Sequence, residues 1–250
     1  LRVGETTHSF FVEEYKRPLF EIRVEKPEDE VRFDEKITLK GKATAYAGYA
    51  IANAKVSYRW QRMRHPFAFW MPRDTEWLEA SSATTDADGV FEIEFSPTKP
   101  NETNIWSRHG TYYNYQLTVD VTDEKGETQT TTQTIAVGDK ALMIVADIPS
   151  KINKNKVLQL DVKCETLNGI ALNQSMNYAV YTLVSNDYFE NIALDSLKNG
   201  KQISAGKFVS GKEKFSLDAH KWKSGAYRIE ISTTDKYGQE VKIHYNTIIY

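Results

Sequence analysis

The sequence has one cysteine in 250 residues, Cys164, and a lone thiol excludes an intrachain disulfide framework. It has almost no net charge: 32 Lys and Arg stand against 34 Asp and Glu, leaving -2. Such a balance provides no field to draw in nucleic acid or an anionic membrane. No apolar run approaches the roughly 20 residues of a membrane-spanning helix, and no basic, then apolar, then small-residue signal peptide opens the chain. No dozen residues keep a capped helical period either. Nucleic-acid partners, direct membrane insertion and helical architectures are therefore not expected.

What is present is alternation. Strand-like segments punctuated by Gly, Asn, Asp and Pro are predicted at Leu19–Lys26, Lys36–Ala47, Ala54–Arg62, Gly89–Phe95, Tyr113–Thr122 and Thr128–Val137. A second series follows at Leu142–Ile148, Lys156–Glu165, Ser175–Val184, Gly200–Val209, Lys214–Leu217, Gly225–Thr233 and Glu240–Ile249. Each segment alternates as if one face is packed and the other wet, which predicts an all-β chain of two consecutive antiparallel β-sandwiches. The series also match each other. Lys36–Leu39 aligns with Lys156–Gln159, and Asn53 and Tyr58 with Asn173 and Tyr178, at an offset of 120; Thr122–Glu127 aligns with Thr234–Gln239 at 112. The Asp in each of the latter segments can cap a hairpin turn while the Gly supplies positive φ. The expected division is 17–138 as the first sandwich and 139–250 as the second, with 1–16 outside both.

Chemistry-bearing patterns are sparse. Cys164, in the strand-like run Val157–Cys164, reads as a buried small hydrophobe. Asp86-Ala87-Asp88-Gly89 imitates the start of a calcium loop, but its twelfth position is Pro97 and an alternating strand intervenes, so an Asp-Gly turn is expected. His8, His65, His109, His220 and His244 are too scattered for zinc. No Gly-x-Ser-x-Gly elbow or Gly-rich phosphate loop occurs, and Glu13 and Glu14 would face opposite sides of a strand. No catalytic residue, metal or cofactor is expected, and the chain is not expected to be an enzyme.

Two features remain. The connection from Arg62 to Ser82 is unusually aromatic, with Phe67, Phe69, Trp70 and Trp77 as candidate interface or binding residues. Such rings either cover the core, meet another domain, or form a stacking platform for sugars. The other feature is the join at Phe10–Pro27, two alternating strands run together through Pro18, which cannot donate a ladder hydrogen bond.

That join, with Phe10-x-Val12-x-x-Tyr15 leading into Pro18-x-Phe20-Glu21-Ile22, resembles the junction between the second and third macroglobulin domains of the α2-macroglobulin and complement family. The segment Gly41–Val56 resembles that family's strand, Gly turn and next strand, and Thr85–Phe91 resembles its Thr-Asp-x-x-Gly-x-Phe turn. The likeness is to a bacterial α2-macroglobulin and implies that 1–16 is the last strand of a preceding, second macroglobulin domain, followed by the third and fourth, scaffold of a broad-range inhibitor that entraps proteases. It also implies partners among the other domains of a longer chain, proteases engaged only through the full-length protein, and a periplasmic or cell-envelope location with a lipid anchor upstream. The family's thioester needs Cys-Gly-Glu-Gln; here the run is Cys164-Glu165-Thr166-Leu167, so no thioester is expected within these residues. The rival expectation is a secreted or surface tandem sandwich that binds glycan or mediates adhesion through the aromatic 62–82 loop.

Overall fold

In β4 (Ile37–Ala45), Ile37, Leu39, Gly41, Ala43 and Ala45 are buried while Thr38, Lys40 and Lys42 are exposed, the two-residue period that one packed face imposes. The computed structural model describes residues 2–3, 6–7, 19–63, 75–100, 112–184 and 194–250. Phe10–Pro18, and Phe67, Phe69 and Trp70, lie outside them. A short hairpin of β1 (Arg2–Val3) and β2 (Thr6–Thr7) opens the chain.

The first sandwich comprises β3 (Phe20–Val24), β4, β5 (Lys55–Met63), β6 (Thr75–Thr84), β7 (Val90–Phe95), β8 (Tyr112–Thr122) and β9 (Thr128–Gly138). Its sheets, ordered β3-β4-β7 and β6-β5-β8-β9, enclose Phe20, Leu39, Trp60, Ile93, Tyr115, Leu117 and Ile135. Trp60 stacks on Phe95 with ring centroids 4.1 Å apart. Strand β6 corrects the sequence reading, which took all of 62–82 as a connection.

The second sandwich contains β10 (Leu142–Val145), β11 (Lys151–Ile152), β12 (Leu158–Leu160), β13 (Lys163–Thr166), β14 (Ala171–Leu172), β15 (Ser175–Val184), a 3-10 turn at Leu194–Ser196, β16 (Lys198–Val209), β17 (Phe215–Leu217), β18 (Gly225–Thr234) and β19 (Glu240–Ile249). One layer is β11-β19-β18-β15-β16, in which β11 pairs with β19 in parallel. The other is divided into β10-β13-β14 and β12-β17. Between the layers lie Leu142, Ile144, Cys164, Met176, Phe215, Ile229, Ile231 and Val241. The chain is thus all-β, built as two sandwiches with separate cores.

The pairing registers repeat. Tyr58 faces Val119 and Val119 faces Thr131; Tyr178 faces Ile231 and Ile231 faces Ile243, reproducing the offsets of 120 and 112. Ile22 opposite Ala43 becomes Ile144 opposite Cys164. The cysteine therefore fills the small core slot that Ala43 fills in the first sandwich. The copies differ where the single strand expected at Lys156–Glu165 is broken into β12 and β13. In β4 the corresponding place is Gly41, across which the Phe91 ring lies; a Cβ there would stand 2.2 Å from the ring. The second copy has Val162, itself buried, at that point, and β17 begins only at Phe215, so the ladder has nothing opposite.

Candidate functional site

Three buried polar side chains, Asn168, Asp235 and Glu30, lie where the two sandwiches meet. Chain 139–141 crosses between them, and two turns of the second sandwich grip the first. The turn Thr166–Ile170, with Gly169 at φ 87°, presents Asn168, 9% exposed. Its Oδ1 accepts the Ala136 N–H at 2.8 Å and its Nδ2 donates to the Ala136 carbonyl at 3.1 Å. One amide side chain thereby pairs with both backbone groups of a β9 residue, as a neighbouring strand would.

The second grip is the turn Asp235–Gln239. Asp235, 5% exposed, accepts the N–H groups of Tyr237 and Gln239 at 3.0 and 2.8 Å through Oδ1, while Oδ2 accepts that of Ala141 at 3.3 Å. So shaped, the turn meets Glu30, a buried carboxylate of the first sandwich. The Lys236 N–H donates to Glu30 Oε2 at 2.7 Å and the Tyr237 hydroxyl donates to the Glu30 carbonyl at 3.0 Å. The Arg32 guanidinium lies 4.0 Å from the Tyr237 ring centroid, within range of a cation–π attraction. Beside this contact is an open cleft of about 610 Å³, lined by residues 25–31 and 35–40 with Lys236 and Tyr237. Carboxylates and ammonium groups are mixed along it, with Glu28, Asp29 and Glu30 an unbroken run of acids.

The sequence reading missed this joint. Asn168-Gly169 and Asp235-Lys236-Tyr237-Gly238 were legible as turns, but a turn signal does not say which neighbour its side chains face. Glu30 carried no signal beyond its position after Pro27.

The residues singled out earlier are placed differently. Trp77 is on edge strand β6, 62% exposed, outside the first core. Nearby, Arg62 pairs with Glu76 and lies 5.3 Å from the Tyr113 ring. Tyr115 is buried beneath, and burial pushes its hydroxyl up to about 12 against the partial opposition of Arg62. Cys164 is 1% exposed; burial, then the negative charges of Glu30 and Glu165, push its thiol up to about 12, which keeps it protonated and non-nucleophilic at neutral pH. Asp86 Oδ1 caps its own turn, accepting the N–H groups of Asp88 and Val90 at 2.9 and 2.8 Å, with Gly89 at φ 74°. Among the described residues no three His, Cys, Asp or Glu side chains gather as metal ligands, and no helix is long and apolar enough to cross a membrane.

No protein-family model matches the chain, and no curated protein sequence does. Solved structures of bacterial α2-macroglobulins resemble it along nearly its whole length. The Escherichia coli α2-macroglobulin in its native conformation is 10% identical over 98% of this chain and 17% of that one, with a TM-score of 0.43. The trypsin-activated form of the E. coli protein is 10% identical over 94% and 17%, at 0.42, and Salmonella α2-macroglobulin reacted with methylamine is 10% identical over 94% and 17%, at 0.40. The chain spans 17% of the length of each.

Proposed function

We propose that these two sandwiches are scaffold within a longer protease-entrapping protein of the α2-macroglobulin type, with no chemistry of their own. The observation that carries this is the joint: the buried Asn168, Glu30 and Asp235 are all engaged in holding one sandwich to the next or in shaping the turn that does so. Side chains that a binding module would direct at a ligand are directed here at a neighbouring domain. The resemblance at Pro18 and along Gly41–Val56 supplies the entrapment part of the reading, together with a periplasmic or envelope location and a lipid anchor upstream. Proteases would be partners of the whole protein only.

The test compares the 250-residue chain with the full-length protein, using trypsin and a metalloprotease. An enclosing inhibitor blocks digestion of a large protein substrate while sparing cleavage of a small chromogenic peptide. We expect that pattern from the full-length protein and no effect from the chain alone. Full activity of both proteases on the large substrate in the presence of the full-length protein would refute the entrapment role.

A glycan-binding or adhesive module is the second reading, and the exposure of Trp77 favours it. Retention of the chain on polysaccharide, abolished by Trp77→Ala, would establish it in place of the first.

A further inference from the structure

The sequence contains two Asn-Gly pairs, Asn168-Gly169 and Asn199-Gly200. Such a pair carries a latent reaction, because a glycine has no side chain to shield its backbone nitrogen, and that nitrogen can attack the preceding carboxamide. A bond forms between the Gly nitrogen and the Asn Cγ while the Cγ–Nδ2 bond breaks, and ammonia leaves with the proton of the Gly N–H. Water then opens the resulting succinimide ring. The product is aspartate, or an isoaspartyl residue whose chain runs on through the side-chain carbonyl.

At position 168 the closed joint holds this reaction off. Crowding around Gly169 gives no protection, since even a Cβ there would meet nothing within 4 Å. Hydrogen bonds do. Asn168 Oδ1 and Nδ2 are fixed on Ala136 of the other sandwich at 2.8 and 3.1 Å, which keeps the carboxamide from swinging toward Gly169. The Gly169 N–H is itself engaged, donating to the Thr166 carbonyl at 3.0 Å. The bonds to Ala136 exist only while the sandwiches are joined. The turn does not need the amide: Ala45–Tyr49 closes through the same pair of backbone bonds, with Gly48 at φ 92°, and has Ala47 in the place of Asn168. The asparagine therefore serves the joint and the glycine serves the turn, and their adjacency makes the joint chemically perishable once it opens.

We infer that Asn168 is a deamidation site gated by the joint: it stays an amide while the sandwiches are closed on each other and converts when they part. The conversion is one-way, because the ammonia is lost. An aspartate has no N–H for the Ala136 carbonyl, and an isoaspartyl residue adds a backbone carbon to the Thr166–Ile170 turn, so neither product restores the original contact. The reaction consumes its own residue and turns over no substrate, so it is a modification and not an enzymatic activity. Asn199 has no part in the joint. It is exposed, its Nδ2 donates to Glu230 Oε1 at 2.9 Å and its Oδ1 accepts from Arg228 Nη1 at 3.1 Å, all within the second sandwich. Its rate is therefore an internal reference. The inference goes beyond the scaffold reading and does not depend on it.

The test holds the chain at mildly alkaline pH and follows deamidation at positions 168 and 199 by peptide mapping and mass spectrometry. A urea series below the unfolding transition opens the joint by degrees, and amide exchange at Ala136 reports that opening in the same samples. A synthetic peptide spanning 165–172 gives the unprotected rate. Tyr237→Ala supplies a second route to an open joint, since it removes the hydroxyl that donates to the Glu30 carbonyl and the ring beside Arg32 without touching the Thr166–Ile170 turn. Because reaction and exchange both draw on the open population, position 168 should react at least about tenfold more slowly in the chain than in the peptide and accelerate in proportion to Ala136 exchange. Position 199 should keep a constant rate. A rate at 168 equal to that of the peptide, a rate that does not follow Ala136 exchange, or an equal acceleration at 199 would each overturn the assignment.

Discussion

Replacing Asn168 by alanine removes two hydrogen bonds at once and leaves both their partners buried. The Ala136 N–H and carbonyl belong to a residue only 8% exposed, and each buried backbone group without a partner costs about 1–3 kcal/mol. Allowing for relaxation, the loss is about 2–4 kcal/mol. In a protein of this size each kcal/mol moves the melting temperature by about 2–4 °C, so a fall of about 4–16 °C is expected. Because the bonds cross from one sandwich to the other, the loss also removes coupling. Urea unfolding followed by hydrogen exchange and mass spectrometry reads β5 and β15 peptides separately, and in Asn168→Ala we expect their midpoints to diverge further than in the parent. Asn168→Asp is a sharper probe. Its second oxygen would face the Ala136 carbonyl and repel it, so the folded protein favours the protonated acid and the folded carboxyl pKa is raised. Stability is then fully present below the ordinary carboxyl pKa and is lost as pH rises through the raised value, so the Asp variant recovers toward wild type in acid. An Asn168→Ala protein that melts with the parent, or an Asp variant whose deficit is the same at acid and neutral pH, would refute the reasoning.

Cys164 is expected to resist thiol reagents in the native protein and to react on unfolding. Its raised pKa also makes the sign of the alkaline response definite: the folded thiol at about 12 and the ordinary value of 9.0 mean stability fully present below pH 9 and lost as pH rises from 9 to 12. Cys164→Ala, which reproduces the residue at Ala43, should flatten that part of a stability–pH curve; an unchanged curve counts against the assignment. Trp60→Ala should cost about 3–5 kcal/mol in urea unfolding as a fully buried ring, whereas Trp77→Ala should change stability by less than about 1 kcal/mol, and equal losses would contradict their placement. Gly41→Ala should destabilise the first sandwich, since the Phe91 ring must move aside for the new methyl; calorimetry showing no loss would indicate that the ring relocates freely.

Alternation made most strands legible, because one packed face leaves a two-residue rhythm that needs no partner to be read. It failed where rhythm and pairing disagree. Val157–Cys164 alternates without interruption, yet Asp161 and Val162 lack a partner strand, a fact set by where β17 begins. Strand β6 was hidden for the opposite reason: apart from partly covered Ala83, its described side chains from Glu76 to Thr84 are exposed, so neither face left an apolar rhythm. The internal repeat was legible through Asn53, Tyr58 and the Asp-x-x-Gly turns. The joint was not, since Asn168 serves its own turn and the neighbouring sandwich at the same time, and only the first of these roles leaves a local mark.

The bridging of Ala136 by Asn168 has a mechanical side. A ten-residue strand such as β18 extends about 34 Å at about 3.4 Å per residue, so each sandwich is a stiff arm pivoted at the joint. Tilting the arm by about 10° would carry its far end about 6 Å, more than the spacing between neighbouring strands. The two hydrogen bonds at the pivot, at 2.8 and 3.1 Å, resist that tilt because it bends and lengthens them together. Displacement applied at one end of the tandem would therefore arrive at the other nearly undiminished, and softening the pivot at Asn168 would absorb it as bending instead.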